Sequence, residues 1–371
     1  MEFTINRDAL LKSLSHAYGV IEKKTTLPIL SNILIEAKSS KIKITATDLD
    51  IIYSEEVSLL ELKKEGSTTT SAGILYDILR KLEANKKIEF QLQDSNKLKL
   101  VSGNSKFNLL CIPPENFPLS DEGIDSQLFE VPSNEFLKLL NKTRISISND
   151  DTRHYLNGIY LHKISSNNKS FLTAVATDSH RLSSSSLEID SKIVFEPIIL
   201  PKKTIFQLIS LLEQNEKTIK ISNNKSKIKF EVSSGLLISK VIDGRFPDYS
   251  KVVPRDNDKT LNMKLNEFKN SIERVTTVST DNKEGLKMFI SKNLLQLSVN
   301  NPNSGDGKED ININFDSNDL EISFNSRYLI DIASQIESES IVISFKDAAS
   351  PVLIRDLSDK NSFHVVMPMK I

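Results

Sequence analysis

Apolar side chains recur at helical spacing in three segments of the chain, which lie about 120 to 130 residues apart. In each segment four apolar residues occupy positions i, i+3, i+4 and i+7, so they share one face of an α-helix of about a dozen residues. The three sets are Leu75, Ile78, Leu79 and Leu82; Ile205, Leu208, Ile209 and Leu212; and Leu329, Ile332, Ala333 and Ile336. The pattern predicts three similar amphipathic helices.

A second helix is predicted upstream of each of these three. An apolar pair at positions i and i+4 indicates it, and a short strand of alternating pattern comes directly before it. The pairs are Leu10 with Leu14, Phe136 with Leu140, and Phe268 with Ile272. Further strands follow each helix, so the order strand, helix, strands, helix, strands occurs three times.

Polar, Asp-rich joints at residues 120–126 and 254–258 separate the three repeats. A chain of 371 residues is also long enough for two or three domains. The sequence therefore predicts an α+β protein of three tandem, similar domains. We expect these domains to cover residues 1–122, 128–250 and 255–371.

Composition restricts the compartment but not the function. The single cysteine, Cys111, cannot form an internal disulfide, which favours a reducing compartment. The N-terminus lacks the pattern of a signal peptide, and no stretch approaches the ~20 apolar residues of a membrane helix. We therefore expect a cytoplasmic protein. The net charge of −1 gives no support for nucleic-acid binding by itself.

Five short motifs occur in order along the whole chain: Thr26–Asn32, Tyr155–Gly158, Thr177–Leu182, Asp243–Tyr249 and Val365–Ile371. This ordered set resembles the bacterial DNA polymerase III beta subunit family, the beta sliding clamps. The resemblance implies three copies of a DNA-clamp domain, each with two helices packed on antiparallel sheets. It also implies a head-to-tail homodimer that forms a six-domain ring around duplex DNA, with the helices on the inner wall.

The implied function is non-enzymatic and needs no cofactor. A clamp confers processivity on DNA replication because topological linkage retains it, so mild positive charge toward the phosphates suffices. Without the resemblance, the basic residues on the helices would be interpreted as solvated faces. The expected DNA-binding residues are Lys24, Arg153, His154 and Tyr155 from the resemblance, and Lys12, Arg80, Lys138, Lys142, Lys202 and Lys203 from the helices.

The resemblance also implies protein partners that insert a short peptide into one pocket between the second and third domains. These partners are the replicative polymerase catalytic subunit, the clamp loader, repair polymerases and mismatch-repair proteins. The expected peptide-binding residues are Leu156, Thr177, Ser179, His180, Arg181, Leu182, Pro247, Lys251, Val252, Val365, Met367, Pro368 and Met369. Apolar walls and adaptable methionines suit a site that serves several partners, although Met367 and Met369 alone would be interpreted as core residues.

Some positions depart from the family pattern. Ser179 replaces a common glycine and Lys251 a frequent arginine, which we expect to alter peptide preference without closing the pocket. The residues that match the family's dimer interface are Phe107, Leu109, Thr277 and Val278. Because Thr277 replaces a leucine, we expect a weaker interface than in relatives.

Two other classes of function remain open on the sequence. Asp178, His180 and the serines from Ser183 to Ser186 are the residue types of a hydrolase triad, but no nucleophile-elbow motif is present. The histidines are scattered, and the loop at residues 301–307 lacks the glutamate of a calcium site, so no metal is expected. A monomeric scaffold with three similar domains is the remaining alternative, and sedimentation would distinguish it from a dimer.

Overall fold

The computed structural model describes residues 1–22, 26–94, 96–119, 123–124, 126–213, 217–233, 235–279 and 285–370. Its α-helices are α1 (Arg7–Val20), α2 (Ala72–Lys81), α3 (Ser133–Arg144), α4 (Lys202–Leu212), α5 (Leu265–Val275) and α6 (Ser326–Ala333). No helix among these residues is long and apolar enough to cross a membrane.

The strands are short and antiparallel. In the first third of the chain they are β1 (Glu2–Asn6), β2 (Asn32–Lys38), β3 (Lys41–Thr47), β4 (Ile51–Ser58), β5 (Glu61–Lys64), β6 (Gly66–Ser71), β7 (Lys87–Gln93), β8 (Lys97–Ser102) and β9 (Ser105–Ile112). In the middle third they are β10 (Phe129–Pro132), β11 (Gly158–Ser166), β12 (Lys169–Thr177), β13 (Arg181–Ile189), β14 (Ile198–Pro201), β15 (Thr218–Asn223), β16 (Lys227–Val232) and β17 (Gly235–Lys240). In the last third they are β18 (Lys259–Lys264), β19 (Gly285–Ser291), β20 (Leu294–Asn301), β21 (Gly305–Asn312), β22 (Leu320–Asn325), β23 (Ser340–Phe345), β24 (Val352–Asp356) and β25 (Asp359–Val366).

The predicted helices are confirmed, but two of them end before the last residue of the predicted set: α2 ends at Lys81, with Leu82 as its C-cap, and α6 ends at Ala333. In α4 all four predicted apolar residues are buried, and in α2 Leu75 and Leu79 are buried. Helix α6 ends at Ala333, so Ile336 lies beyond it, although its side chain is buried. The chain leaves the helix there because Ser334 and Gln335 donate to Ile330 O and Ile332 O in a closing turn.

Contacts divide the chain into two compact units. Unit 1 comprises Met1–Asn134, Ile193–Glu196 and Lys203–Val241, and unit 2 comprises Glu135–Lys192, Pro197–Lys202 and Ile242–Ile371. The middle repeat contributes to both units because strand pairs join neighbouring repeats. Strand β17 of the middle repeat pairs with β4 of the first, and β25 of the last repeat pairs with β13 of the middle one.

Unit 1 is built on one 13-stranded sheet. Helices α1 and α2 pack together, and α1 also packs on β3 and β4. Asn6 begins α1 as its N-cap, since its side chain accepts from the backbone N–H groups of Asp8 and Ala9. The alternating pattern of β7 places Ile88 and Phe90 in the core, where Phe90 stacks on Phe3.

Unit 2 contains an eight-stranded sheet, in which β13 is next to β25, and a separate four-stranded sheet in the order β21-β20-β19-β22. Apolar residues of α5, α6 and both sheets form its main core, with Phe268, Ile272, Phe324 and Phe345 almost fully buried. A second, smaller cluster lies beside β13 and β25. This smaller cluster supports the candidate site.

Candidate functional site

A cavity of about 230 Å³ opens on unit 2 beside the pair formed by β13 and β25. Its volume suits one or two side chains rather than a large cofactor. It is lined by Thr177, Ser179, His180, Arg181, Leu182, Pro247, Asp248, Tyr249, Val252, Val365 and Met367. Most of this wall is apolar, with polar groups at one end.

Strand pairing brings the two sides of the cavity together. Leu182 of β13 lies opposite Val365 of β25, and the N–H of Met367 donates to His180 O at 2.8 Å beyond the end of the strand. Both Leu182 and Val365 belong to the smaller apolar cluster, together with Leu156 and Leu353. The floor of the cavity is therefore a packed surface that continues the core.

A tight turn between β12 and β13 forms the polar end. Thr177 Oγ1 donates to Arg181 O at 2.7 Å and accepts from the N–H of Ser179 at 3.1 Å. Asp178 Oδ1 accepts from the N–H groups of His180 and Arg181 at 3.0 and 2.9 Å. The short polar side chains of Thr177 and Asp178 thus satisfy the backbone of the turn.

Arg181 is a fixed part of the wall. Its Nε donates to Asp178 Oδ2 at 3.1 Å and its Nη1 to Asp331 Oδ2 at 2.8 Å. The guanidinium also lies 4.3 Å from the centre of the Tyr328 ring. Because two carboxylates and an aromatic face hold this side chain at 10% exposure, it shapes the cavity and is not a free cation.

An aromatic column supports the opposite wall. Phe246 stacks on Tyr160, Tyr160 stacks on His162, and His162 meets the edge of Tyr249. His162 Nε2 and Tyr249 Oη form a hydrogen bond of 3.0 Å. Burial raises the pKa of Tyr249 to about 12, so its hydroxyl stays protonated at neutral pH. The bond fixes the Tyr249 ring where it lines the cavity.

His364, which is buried, and His162, which is half-buried, make unit 2 sensitive to acid. Burial lowers the pKa of His162 to about 4, and burial with the nearby charges of Lys142 and Arg181 lowers the pKa of His364 to about 3. In the unfolded chain both titrate near 6.5, so the unfolded state takes up protons first as the pH falls. The stability they contribute is present above about pH 6.5 and is lost as the pH falls toward their folded pKa values.

We expect the free energy of unfolding of unit 2 to fall by roughly 1–2 kcal/mol per histidine between pH 7 and pH 5. Urea unfolding at the two pH values measures this change. Unfolded carboxylates titrate mostly below this window, so the double variant His162→Gln/His364→Gln should lose most of the dependence. An unchanged dependence in that variant would contradict the assignment.

Family models cover the chain in three consecutive matches. Residues 1–121 match the N-terminal domain of the DNA polymerase III beta subunit, residues 130–248 its central domain, and residues 250–370 its C-terminal domain. The chain belongs to the DNA polymerase III beta subunit family. It is a sliding clamp, a processivity factor for DNA polymerase III and not an enzyme, built of three tandem clamp domains.

Known proteins are similar over the full length of this clamp. The beta sliding clamp of Caulobacter vibrioides is 37% identical over 100% of both chains. The sliding clamp structure of Bartonella birtlesii, bound to griselimycin, has a TM-score of 0.96 at 37% identity and covers 100% of both chains. A Caulobacter crescentus clamp structure, with PEG bound to a putative beta-motif tethering region, has a TM-score of 0.96 at 36% identity and covers 100% of this chain and 99% of that one.

The cavity of this clamp includes most of the predicted peptide-binding residues. Outside its lining lie Leu156, which is buried in the cluster beneath it, and Lys251, whose side chain is 78% exposed. Pro368 and Met369 continue past β25, where the N–H of Met369 donates to Ser323 O. Sequence reasoning missed Asp248 and Tyr249, although both lie inside the quoted motif Asp243–Tyr249.

The predicted DNA-binding residues of the clamp are dispersed. Lys24 lies outside the described residues. Lys12 and Arg80 are exposed, and Arg80 lies over the Tyr76 ring. Two other predicted lysines already have partners within the protein. Lys202 donates to Asn149 Oδ1, and Lys138 forms an ion pair with Glu337.

Lys142 is not a surface residue, which corrects its assignment to DNA binding. Its side chain is 4% exposed, and its ammonium lies 2.6 Å from Asp359 Oδ2 and 3.8 Å from Asp356 Oδ2. A buried, doubly paired ammonium cannot reach a phosphate without breaking those pairs. Lys203 is half-buried, and its ammonium is similarly bound by Glu22 and Asp48.

Arg153, His154 and Tyr155 lie together in the 3₁₀ segment Asp151–Leu156. His154 is exposed, and Tyr155 meets its ring edge-on. The Arg153 guanidinium is 36% exposed and is held by Asp150 and Ser179. These side chains are close to the turn that ends the cavity.

The predicted interface residues lie on two separate elements. Phe107 and Leu109 share one face of β9, with Phe107 half-buried and Leu109 buried, while the neighbouring Leu110 is 76% exposed. Thr277 and Val278 lie in the 3₁₀ turn that follows α5. Val278 packs partly on the core of unit 2, and Thr277 is exposed.

The hydrolase alternative is wrong. Ser183 is fully buried, and its hydroxyl is bonded to His364 Nδ1 and Ser146 Oγ, while His180 is exposed at the cavity. These residues therefore do not form a triad that a substrate could reach. Within the described parts of the chain, no group of three or more metal-ligating side chains is placed to hold an ion.

Proposed function

We propose that two copies of this clamp close head to tail into a ring that encircles duplex DNA without sequence preference. The cavity on unit 2 then binds short peptides of replication and repair proteins and keeps them at the DNA. The proposed peptide partners are the replicative polymerase catalytic subunit, the clamp loader, repair polymerases and mismatch-repair proteins. The proposed domains cover residues 1–122, 128–250 and 255–371, and the proposed compartment is the cytoplasm.

The internal repeat carries the proposal of a ring. The fourth strand of the first repeat, β4, pairs with the last strand of the second, β17, and β13 pairs in the same antiparallel way with β25. In both pairs, the fourth strand of one repeat pairs with the last strand of the next repeat. By the same count, β21 is the fourth strand of the third repeat and β9 is the last strand of the first. Pairing β21 with β9 of a second copy would complete the pattern, and a rotation that closes gives a ring.

Both strands have edges that are open to such pairing. Strand β21 is at the end of its four-stranded sheet. Along β9, residues Ser105 to Leu110 pair only with β8 among the described strands, and β6 joins only at Cys111 and Ile112. An exposed edge in a stable protein is usually covered or paired, which a second copy would do.

Charge complementarity supports the same pairing. Strand β21 carries Asp306, Glu309 and Asp310 against a single lysine, Lys308, so its net charge is acidic. Strand β9 carries Lys106, and the adjacent β8 carries Lys97 and Lys99. Opposite charges at the two edges favour one copy's β9 against the other copy's β21, and they disfavour β9 against β9.

We expect sedimentation at micromolar concentration to give about twice the 41.7 kDa of one chain. Lys106→Glu should shift the equilibrium toward monomer, because it places a negative charge on β9 opposite the acidic β21 of the other copy. Lys225→Glu makes the same change in an exposed turn between β15 and β16 and should leave the mass unchanged. A wild-type chain that stays monomeric would favour the scaffold alternative.

The residues with proposed DNA contact are Lys12, Arg80, Lys138 and His154, which are exposed, and Arg153, Tyr155 and Lys202, which are partly buried. If topology retains the clamp, the loaded protein should stay on closed circular DNA in high salt and leave once the circle is cut. Direct phosphate binding would instead weaken steeply with salt on both substrates. Gel filtration of loaded DNA before and after cleavage measures this, and equal loss from circular and linear DNA would contradict encirclement.

The cavity supports the peptide-binding part of the proposal. Its apolar wall of Leu182, Pro247, Val252, Val365 and Met367 can accept aliphatic side chains, and Met367 can adapt to different ones. The Bartonella relative was crystallised with griselimycin. Griselimycin is therefore a suitable competitor, and we expect it to displace a bound peptide from this clamp.

A further inference from the structure

Ser179 has an unusual backbone conformation at the end of the cavity. Its φ is 77°, in the left-handed region that favours glycine. The turn around it is closed by the side chains of Thr177 and Asp178, and the Ser179 hydroxyl takes no part in these bonds. The hydroxyl is thus available for a contact outside the turn.

A second copy of the same turn shows that serine is not needed for this geometry. In unit 1, Thr47 and Asp48 make the matching hydrogen bonds between β3 and β4. There the left-handed position is Leu49, with a φ of 80° and a side chain that is 46% exposed. Turn closure therefore imposes the backbone conformation, and the side chain at this position can serve another purpose.

The Ser179 hydroxyl accepts a hydrogen bond from Arg153, outside the turn. Arg153 Nη1 donates to Ser179 Oγ at 2.6 Å, while Arg153 Nε donates to Asp150 Oδ2 at 2.9 Å. The backbone of Arg153 interrupts its 3₁₀ segment with φ −118° and ψ 56°. The chain of bonds from Asp150 through Arg153 to Ser179 fastens this segment to the rim of the cavity.

The hydrogen bond between Arg153 and Ser179 crosses the rim of the cavity, with one partner in the lining and the other outside it. Ser179 lines the cavity and Arg153 does not, so Arg153 lies beyond the Ser179 end. A peptide that stays inside the cavity need not disturb the bond. A peptide that runs on past Ser179 meets the guanidinium and has to displace the bond or replace it.

We propose that the hydrogen bond between Arg153 and Ser179 is a selectivity latch of the peptide site. The latch rests on the proposed peptide-binding function. It disfavours apolar peptides that extend past Ser179, because breaking it leaves a donor without its acceptor. It favours peptides that bring a carboxylate to this point, because a carboxylate forms a stronger, charge-assisted bond with Arg153 than a neutral hydroxyl does.

The test uses peptides of defined length. The first probe is the shortest peptide that binds the wild-type clamp, chosen from a library of apolar pentapeptides. Two extensions are added to this peptide, one of three alanines and one of two alanines and an aspartate. Each extension is placed at the N-terminus in one peptide and at the C-terminus in another, which gives four lengthened probes. The measured quantity is the ratio of Kd for the lengthened peptide to Kd for the short one.

The variants separate the hydroxyl from the backbone. Ser179→Ala removes the acceptor and keeps a side chain in the left-handed position, and Arg153→Met removes the donor at similar length. Leu49→Ala changes the corresponding residue of the turn in unit 1 and is the matched control. Thermal melts of each full-length variant establish that the chain is folded before titration.

The expected effect concerns the ratio of Kd for the alanine-lengthened peptide to Kd for the short peptide, with the extension at the peptide end that runs past Ser179. Ser179→Ala and Arg153→Met should each lower this ratio by about three- to tenfold, the range of one hydrogen bond to a charged group at a partly exposed site. The double variant should lower it no further, since both changes remove one bond. The preference for aspartate over alanine should disappear in Arg153→Met, and Leu49→Ala should match wild type.

Other outcomes overturn the latch. Ratios that do not change, or that change equally for Leu49→Ala, would show that the bond does not govern selectivity. Additive effects of the two substitutions would show that they act separately. Failure of every library peptide to bind the wild-type clamp would instead refute the proposed peptide-binding function, and with it the latch.

Discussion

Removal of residues 367 to 371 is expected to abolish binding of a short apolar peptide while unit 2 stays folded. Met367 lines the cavity, and its side chain is 40% exposed before any ligand binds. Full burial of an exposed methionine side chain contributes roughly 1.5–3 kcal/mol, so covering the 40% of Met367 that is exposed contributes about 0.6–1.2 kcal/mol, and its loss alone weakens Kd by about three- to eightfold. The truncation also opens the cavity to solvent on the side of β25.

The fold should survive because β25 ends at Val366. Val365 and Val366 are buried, and they keep their places between β13 and β24. The truncation removes two described backbone bonds, those from Met367 to His180 O and from Met369 to Ser323 O. We therefore expect only a small drop in the melting temperature.

Isothermal titration with the peptide and sedimentation of the truncated chain measure the two halves of this prediction. Deleting residues 370 and 371 alone is the control, because it leaves Met367 and both backbone bonds in place. The dimer should persist in both truncations, since the proposed pairing uses β9 and β21. Undiminished peptide binding would mean that the ligand occupies a different surface.

The helices could be predicted because their signal is local. Four apolar residues at helical spacing are enough to predict α4, and the structure buries all four of them. The end of α6 was less predictable. Ile336 continues the apolar period, but the chain turns at Ser334, so periodicity alone extends the helix too far.

The joining of neighbouring repeats could not be predicted from the pattern. Strand alternation identifies β4 and β17 as strands but gives no information on which strands pair across long separations. The structure pairs Tyr53 with Leu237 and Leu182 with Val365. These non-local pairs make two compact units out of three repeats.

The candidate site was predictable to the extent that motifs carried it. The motif that contains Thr177 to Leu182 forms one end of the cavity, and Val365 and Met367 form a side. Asp248 and Tyr249 were missed because the motif alone does not show which of its side chains face the cavity; Tyr249 is held there by a hydrogen bond to His162, which is 87 residues away in the sequence. Lys142 was misassigned because its carboxylate partner, Asp359, is 217 residues away in the sequence.

Substitution of Lys142 should have the largest effect on stability. Its ammonium lies between Asp359 and Asp356, and the Asp356 side chain is only 1% exposed. Burial opposes the charge of Asp356, but hydrogen bonds from the Glu337 N–H and from Ser358 outweigh it and hold the pKa of this carboxyl well below its usual range. The carboxylate therefore stays charged when its cation is removed.

Lys142→Met is expected to lower the free energy of unfolding by about 3–5 kcal/mol, the typical cost of leaving a buried charge without its partner. The matched control is Lys138→Met, one turn earlier on α3. Lys138 is 48% exposed and pairs with Glu337 at 3.2 Å, so its loss should cost about 0.2–1 kcal/mol. Urea unfolding of both variants at pH 7 gives the comparison.

A rescue variant tests the mechanism. Adding Asp356→Asn and Asp359→Asn to Lys142→Met removes the orphaned charges, and it should recover part of the lost stability because neutral amides are cheaper to bury than carboxylates. Equal losses for Lys142→Met and Lys138→Met would show that Lys142 is solvated in solution. In that case its ammonium would again be free to face the phosphates of encircled DNA.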